Sequence, residues 1–340
     1  MKRVAGRAAE ILARTGILRV LEAVDRATRR VAILVYHRID EPAAEPDLDP
    51  GLVSATPGDF RAQMEVLATH AHPISLTQLL DAHLERRPLP PRAVLVTFDD
   101  GYRDFAIHAW PVLRSMGIPA VLFVPTAFPD GAPAGFWWDR LHSALARTPE
   151  RAIEVEGLGS LSLADPADRR AAHRALRDRF KSLPHDEALA GLERLISRLA
   201  DVPALNRVLG WDALRTLAHE GLAVCSHGQA HALYTRLAPD ALRRDLTESR
   251  ARIERELAGA APPPTLAYPA NANDPRVQAA VREAGYLLAF GGRRGIDRLP
   301  LANPLDLMRL PVLRYATALF RAQLRPIVAG WGARLSDARS

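Results

Sequence analysis

The stretch Val94-Leu95-Val96-Thr97-Phe98-Asp99-Asp100-Gly101 constrains this chain more than any other. Residues 93–98 are apolar or β-branched, the pattern of a strand buried on both faces, as in a parallel sheet. Two adjacent carboxylates and a glycine end it. Neighbouring side chains on a strand point to opposite faces, but where the strand breaks into a loop both can turn toward one pocket. Two like charges in a poorly solvated pocket repel strongly, and a cation beside them relieves that cost. Taken alone, the same residues also suit a solvated turn, because Asp and Gly both favour turns.

Much later comes Ala223-Val-Cys-Ser226-His227-Gly228-Gln-Ala-His231, a short apolar strand followed by two histidines at i and i+4. Neutral imidazoles suit zinc, iron, cobalt or nickel, and one carboxylate completes such a set. Two histidines and one aspartate leave open positions on the ion, which hydrolysis requires.

Thr97-Phe98-Asp99-Asp100-Gly101 resembles the first motif of the polysaccharide deacetylases, the NodB-homology group or carbohydrate esterase family four. Ser226-His227-Gly228-Gln229-Ala230-His231 resembles their second motif. Thr265-Leu-Ala-Tyr268-Pro269-Ala270-Asn271 is similar to the third. Val35-Tyr36-His37-Arg38 is similar to the opening strand of one large subgroup, and Phe136-Trp137-Trp138-Asp139-Arg140 and Trp211-Asp212 also recur there. The likeness runs from about residue 31 to about residue 315. It implies an α/β fold, a distorted barrel of about seven β/α units, interrupted here by a helical insertion. In such barrels the site lies at the C-terminal strand ends.

The resemblance also implies roles. Asp100, His227 and His231 would hold a divalent metal, most simply Zn2+, with Co2+, Fe2+ or Ni2+ as alternatives. Asp99 would be the general base for the attacking water. Tyr268, Pro269 and Ala270 would meet the substrate, with a backbone N–H near Ala270 facing the oxyanion. Arg309, before a Leu-Pro-Val segment, would orient Asp99. Trp137 and Trp138 would offer flat rings to a sugar face, or else bury the first helix of the insertion, and Asp139 would cap that helix. Three departures stand out. Gly228 occupies a place where the family has a Ser or Thr that braces the loop, which predicts a looser metal site, not a lost one. Ala270 and Asn271 replace an aromatic residue and a glycine. No histidine follows His231, so the family's late general acid has no counterpart, and His37 is the candidate in its place.

Composition narrows the function classes. The chain has 340 residues, a formal charge of +6 and 48% hydrophobic residues, ordinary for a globular protein with a large core. Its only lysines are Lys2 and Lys181. No basic run with interleaved aromatics appears, which argues against a nucleic-acid partner. Cys225 has no second cysteine to pair with and reads as a small core residue. Arginines interrupt each apolar run of the first 30 residues, so no signal-peptide core is evident. No apolar run is long enough to span a membrane. Residues 8–28 have helical spacing with a basic face, consistent with a helix on the barrel or in a membrane interface. A cytoplasmic protein, peripheral to the inner membrane at most, is the expectation.

Along the chain, strands and helices alternate from residue 31, which predicts a parallel sheet. A strand or bridge is expected at Ile74–Leu76. From 137 to 218 helical periodicity dominates, with a poorly structured hinge near 155–165 and charged faces that read as solvated. Alternation resumes at Leu222. Three regions are expected: residues 1–30 as an amphipathic helix, 31–315 as the catalytic domain with its insertion, and 316–340 as a basic amphipathic tail. The expected activity is metal-dependent removal of acetyl groups, N-acetyl before O-acetyl, from an acetylated saccharide such as a polysaccharide or lipid-linked precursor. A glycan-binding barrel of weakened activity and a hydrolase of a non-sugar amide are the alternatives.

Overall fold

A computed structural model of the protein describes residues 29–131, 134–312 and 317–324. The predicted N-terminal helix and most of the predicted tail lie outside the described residues. Among the described residues, seven strands close into a parallel barrel. They are β1 (Arg30–Tyr36), β2 (Ala93–Phe98), β3 (Ala120–Val124), β4 (Ala223–Ser226), β5 (Thr265–Ala267), β6 (Leu288–Arg294) and β7 (Leu307–Pro311). Each pairs with the next, and β7 pairs back onto β1. The β1–β2 ladder is the longest, from Val31 opposite Ala93 to Tyr36 opposite Phe98. Two short strands flank this ladder: His72–Pro73 runs parallel to β2 and Asp297–Arg298 antiparallel to β1.

The period of two along each strand divides the apolar residues between two cores. Val31 and Ile33, Ala93 and Leu95, Val121 and Phe123, Cys225, Ala267, Leu288 and Phe290, and Leu307 form one cluster, to which all seven strands contribute. That cluster is the barrel interior. The alternate residues, among them Leu34, Tyr36, Val96, Phe98, Leu122 and Val224, face outward under the helices. Helix α1 (Pro57–His70) starts at Thr56, whose hydroxyl accepts from the Asp59 N–H, with Pro57 in the first turn where no N–H is needed. Helix α2 (Leu76–Leu84) starts with a reciprocal capping box of Ser75 and Gln78. Ser75 therefore ends the segment read as a strand at 74–76, and the extended pair lies earlier, at His72–Pro73. Leu76, Leu79 and Leu80 of α2 join the interior cluster. Helix α3 (Trp110–Ser115) follows β2.

The insertion contains helices α4 (Trp137–Arg147), α5 (Pro166–Ser182), α6 (His185–Leu199) and α7 (Trp211–His219). The segment expected to be a hinge instead holds a β-hairpin, Ala152–Val155 against Gly159–Ser162. Leu141, Ile153, Leu176, Phe180, Leu195 and Ile196 give the hairpin and α4–α6 a separate apolar core. Helices α8 (Pro239–Glu256) and α9 (Pro275–Glu283) complete the outer layer, as does α10 (Thr317–Gln323). Phe320 and Leu324 are buried in the same cluster as Phe60, Met64 and Leu67 of α1, so α10 packs on the helical layer.

Asp139 does not cap α4. Phe136 holds the cap position, and Asp139 lies inside the first turn, fully buried. It accepts from the Tyr102 hydroxyl (2.6 Å) and from the Asp49 N–H (2.7 Å), and the Trp138 indole N–H donates to the Tyr102 oxygen (3.0 Å). One buried carboxylate thus joins the insertion to the loops after both β1 and β2, alongside the Arg147–Asp47 pair and the backbone bonds of residues 207–209. Burial pushes the Asp139 carboxyl up to about 7, against the lowering by Tyr102 and the Asp49 amide. A raised carboxyl keeps its proton longer in the folded state than in the unfolded chain. Its contribution is therefore fully present below about pH 4 and is lost as pH rises through about 7. Urea unfolding between pH 4 and 8 is expected to show stability falling with pH, and Asp139→Asn to flatten that slope. A variant slope equal to the parent's would show that Asp139 titrates alike in both states.

Candidate active site

The inward-facing series that fills the barrel continues, two residues at a time, into its C-terminal mouth. From Val31 and Ile33 it reaches Val35 and His37. From Ala93 and Leu95 it reaches Asp99, from Cys225 it reaches His227, and from Leu307 it reaches Arg309 and Pro311. All six of these end residues line one cleft of about 270 Å³. Asp100, His231, Ala270 and Asn271 reach the same cleft from the loops just beyond the strands.

The loops make these turns at a conformational cost. Asp100 (φ 73°) and His231 (φ 54°) both lie in the left-handed region, where a residue with a Cβ is strained by roughly 1–2 kcal/mol. Gly101 follows Asp100 at φ 67°, and a Cβ there would sit 3.1 Å from Val124. The strand end thus turns Asp100 away from the direction of Asp99.

Asp100, His227 and His231 converge. Asp100 Oδ1 is 3.5 Å from His227 Nε2 and 3.3 Å from His231 Nε2, and among the described residues this is the group of His, Cys, Asp and Glu side chains placed to hold one ion. His227 Nδ1 donates to the Ala267 carbonyl (2.8 Å), which leaves the Nε2 lone pair facing Asp100. Burial lowers the His227 imidazole to about 4, so it is the neutral ligand form near neutral pH. Burial raises the Asp100 carboxyl, but His231, His37 and His227 outweigh it and hold it at about 2. The donor set fits a divalent cation. Ligand atoms about 2.1 Å from a tetrahedral ion lie about 3.4 Å apart, close to the two separations here. Asp100 Oδ1 and His231 Nδ1 are buried with no hydrogen-bond partner among the described residues, and unpartnered buried oxygen is costly unless something coordinates it.

Asp99 has a different environment. Its Oδ1 accepts from Arg309 Nη1 at 2.7 Å, both groups buried. Arg309 also donates from Nε to the Gly291 carbonyl (3.1 Å) and from Nη2 to Asn271 Oδ1 (3.2 Å). Burial raises the Asp99 carboxyl, but Arg309 first, then His227 and His37, bring it below the ordinary carboxylate value. The two neighbouring carboxylates are thus separated by environment, one toward the imidazoles and one toward a guanidinium.

The loop that carries the histidines is braced without the expected hydroxyl. Gly228 has φ 75°, and a Cβ there would meet the Tyr234 hydroxyl at 2.6 Å and Asp245 Oδ1 at 3.0 Å. Asp245, from α8, accepts from Tyr234 (2.7 Å) and from the Gln229 N–H (3.0 Å). The predicted looseness at Gly228 is therefore corrected: a buried carboxylate occupies the space a side chain would need.

The third motif also departs from its reading. Tyr268 and Pro269 are buried and do not line the cleft; the Tyr268 hydroxyl donates to the Leu305 carbonyl (2.7 Å). Ala270 and Asn271 do line it, both left-handed at φ 49° and 59°. Asn tolerates that conformation better than most residues, and its side chain adds the contact to Arg309. Trp137 and Trp138 line the cleft as well, but Trp138 is buried with its ring edge-on to His231, centroids 4.7 Å apart. It is a wall behind the histidine more than a platform. Arg38 turns away and is buried between Asp40 (2.7 Å) and Asp104 (3.0 Å), while the His37 N–H donates to Ser54 Oγ (2.9 Å).

Residues 182–289 match the family model described as polysaccharide deacetylase. That segment contains His227, His231 and the third motif. Over that third of its length the chain is similar to the polysaccharide deacetylases. The poly-beta-1,6-N-acetyl-D-glucosamine N-deacetylase of Escherichia coli (strain K12) is 33% identical over 105 residues, which are 31% of this chain and 14% of that protein. The match therefore spans about a seventh of the curated relative. Among solved structures, the Streptococcus pyogenes deacetylase PplD in complex with acetate has the same fold, at a TM-score of 0.59 and 16% identity over 87% of this chain and 98% of that one. IcaB from Ammonifex degensii matches at 0.53 and 18%, over 90% and 97%.

The sequence does not point to three charged residues of the cleft: Asp49 from the loop after β1, and Arg177 and Lys181 from α5. The charged faces of the insertion suggest solvation, yet Arg177 and Lys181, one helical turn apart on α5, line the cleft. Replacing Gly228 with Ser, the family's usual type, is expected to lower stability by about 1–3 kcal/mol because of overpacking at a left-handed position, and to weaken zinc affinity. Thermal unfolding and zinc competition titration check this; a variant as stable and as tight as the parent would show that the loop can open around a side chain.

Proposed function

We propose that this protein is a metal-dependent hydrolase that removes acetyl groups from a saccharide, N-acetyl in preference to O-acetyl. The observation that carries the proposal is the convergence of Asp100, His227 and His231 on one point, with Asp99 beside them held by Arg309. The N-deacetylase name of the curated relative supports the bond type.

When bound, a divalent cation such as Zn2+ supplies positive charge that lowers the pKa of water to about 7 and polarises the acetyl carbonyl. Asp100, His227 and His231 would hold it through Oδ1 and the two Nε2 atoms. Asp99 takes the proton of the attacking water on Oδ2, because Oδ1 is engaged by Arg309. Arg309, fixed in turn by Gly291 and Asn271, keeps that carboxylate ionised and aimed. The Ala270 backbone N–H stabilises the developing oxyanion, a kind of contact that can contribute roughly 3 kcal/mol. His37, at the end of β1 beside β2, returns a proton to the departing amine, so the general acid comes from β1 in place of a late histidine. Leu52, Leu233 and the two tryptophans narrow the cleft and limit its water.

Acetate release from N-acetylglucosamine oligomers by the zinc-loaded chain tests the reading. Asp99→Asn is expected to lower turnover at least about a thousandfold while zinc stays bound, by analogy with other essential general bases. His231→Ala is expected to lose both zinc and turnover. If Asp99→Asn stripped the metal and Asp100→Asn did not, the roles of the two carboxylates would be exchanged.

A further inference from the structure

The insertion adds two cations to a cleft that does not need them for the hydrolysis. Arg177 and Lys181 lie at i and i+4 on α5, continuing the row that begins with His173, buried against the Trp138 carbonyl (3.0 Å). Both come from the insertion and line the same cleft as Arg309 and Asn271. Arg177 Nε is buried and has no hydrogen-bond partner among the described residues; its nearest carboxylate is the exposed Asp178, at 3.6 Å. Burial and the neighbouring Arg177 together lower the Lys181 ammonium from its ordinary value. Two like charges are therefore held side by side, half-buried, with the exposed Asp178 as the partner of Arg177.

The charge of the cleft gives the pair a purpose. Its lining carries three carboxylates, Asp49, Asp99 and Asp100, and three basic side chains, Arg177, Lys181 and Arg309. Arg309 is committed to Asp99. A divalent cation at the Asp100 group would leave the lining about two charges positive. A cleft of one sign, with low-dielectric walls, concentrates ligands of the other sign.

We propose that Arg177 and Lys181 form a subsite for an oxyanion carried by the saccharide, a carboxylate or a phosphate next to the acetylated sugar, so that the preferred substrate is an acidic glycan. The guanidinium offers paired donors that match either anion, and the ammonium adds a point charge beside it. This rests on the deacetylase reading for the bond that is cut, but not for the anion that is bound.

The zinc-loaded full chain is given chitotetraose, which is neutral, a hyaluronan tetrasaccharide, which carries carboxylates, and N-acetylglucosamine 6-phosphate. Binding is measured by calorimetry with and without zinc, and acetate release in parallel. At least one anionic ligand is expected to bind about tenfold or more tighter than the neutral one, with the gap shrinking as salt rises. A carboxylate-only or phosphate-only preference identifies the source. Arg177→Gln with Lys181→Gln is expected to bring the ratio near one, and Lys181→Arg to keep it. Equal affinity for neutral and anionic ligands, or a double variant that loses both alike, overturns the proposal even if acetate is released. Anion preference without acetate release from any ligand supports the subsite and counts against the hydrolase.

Discussion

Two carboxylates placed side by side at the end of a buried strand repel each other, and much of this architecture resolves that repulsion. Asp99 and Asp100 are both buried, yet each is met by positive charge or by donors of its own. The left-handed turn at Asp100 and Gly101 points one carboxylate toward the imidazoles. The alternation of β7 brings Arg309 under the other. Removing one partner of such a buried pair costs about 3–5 kcal/mol, so each chemical group is also part of what keeps the mouth of the barrel together.

The same economy runs through the surrounding loops. Asp245 serves the histidine loop by filling the space beside Gly228 and accepting from its backbone. Asp139 joins three separate segments through a single side chain. Arg309 spans the strand end, the third motif and the β6 backbone with its three donors. Loops that close a cleft have few apolar contacts of their own, so polar atoms with fixed geometry set their positions. Arg38 follows the same logic outside the cleft, neutralising Asp104, whose carboxyl burial raises to about 6.

The strands and most helices were legible because their signals are local. Period two in residues 93–98, proline at the first turn of α1, and Ser75 three residues before Gln78 each state their own structure. The ligand set was legible because Asp100, His227 and His231 are residue types with few other uses at strand ends. What was missed depends on contacts across the chain. Tyr268 looks like a substrate residue in its motif, but its hydroxyl is taken by a carbonyl 37 residues away. The hairpin at 152–162 has weak strand propensity and forms because α5 and α6 cover it. Gly228 was read as a missing hydroxyl, and only the neighbouring Tyr234 and Asp245 show why nothing larger fits. Arg177 and Lys181 looked like an ordinary charged helix face, since sequence gives the period of α5 but not which way it is docked.

Helices α4–α6 of the insertion have their own apolar centre, and the insertion meets the barrel mouth through α4, the Asp139 anchor and the backbone of residues 207–209. Its inner wall can therefore change without disturbing the residues that cut the bond. A lineage could exchange the Arg177–Lys181 row for aromatic or acidic side chains and address a different polymer with the same hydrolytic machinery. On the proposed reading, choice of glycan and cleavage chemistry are then separately heritable traits of one chain.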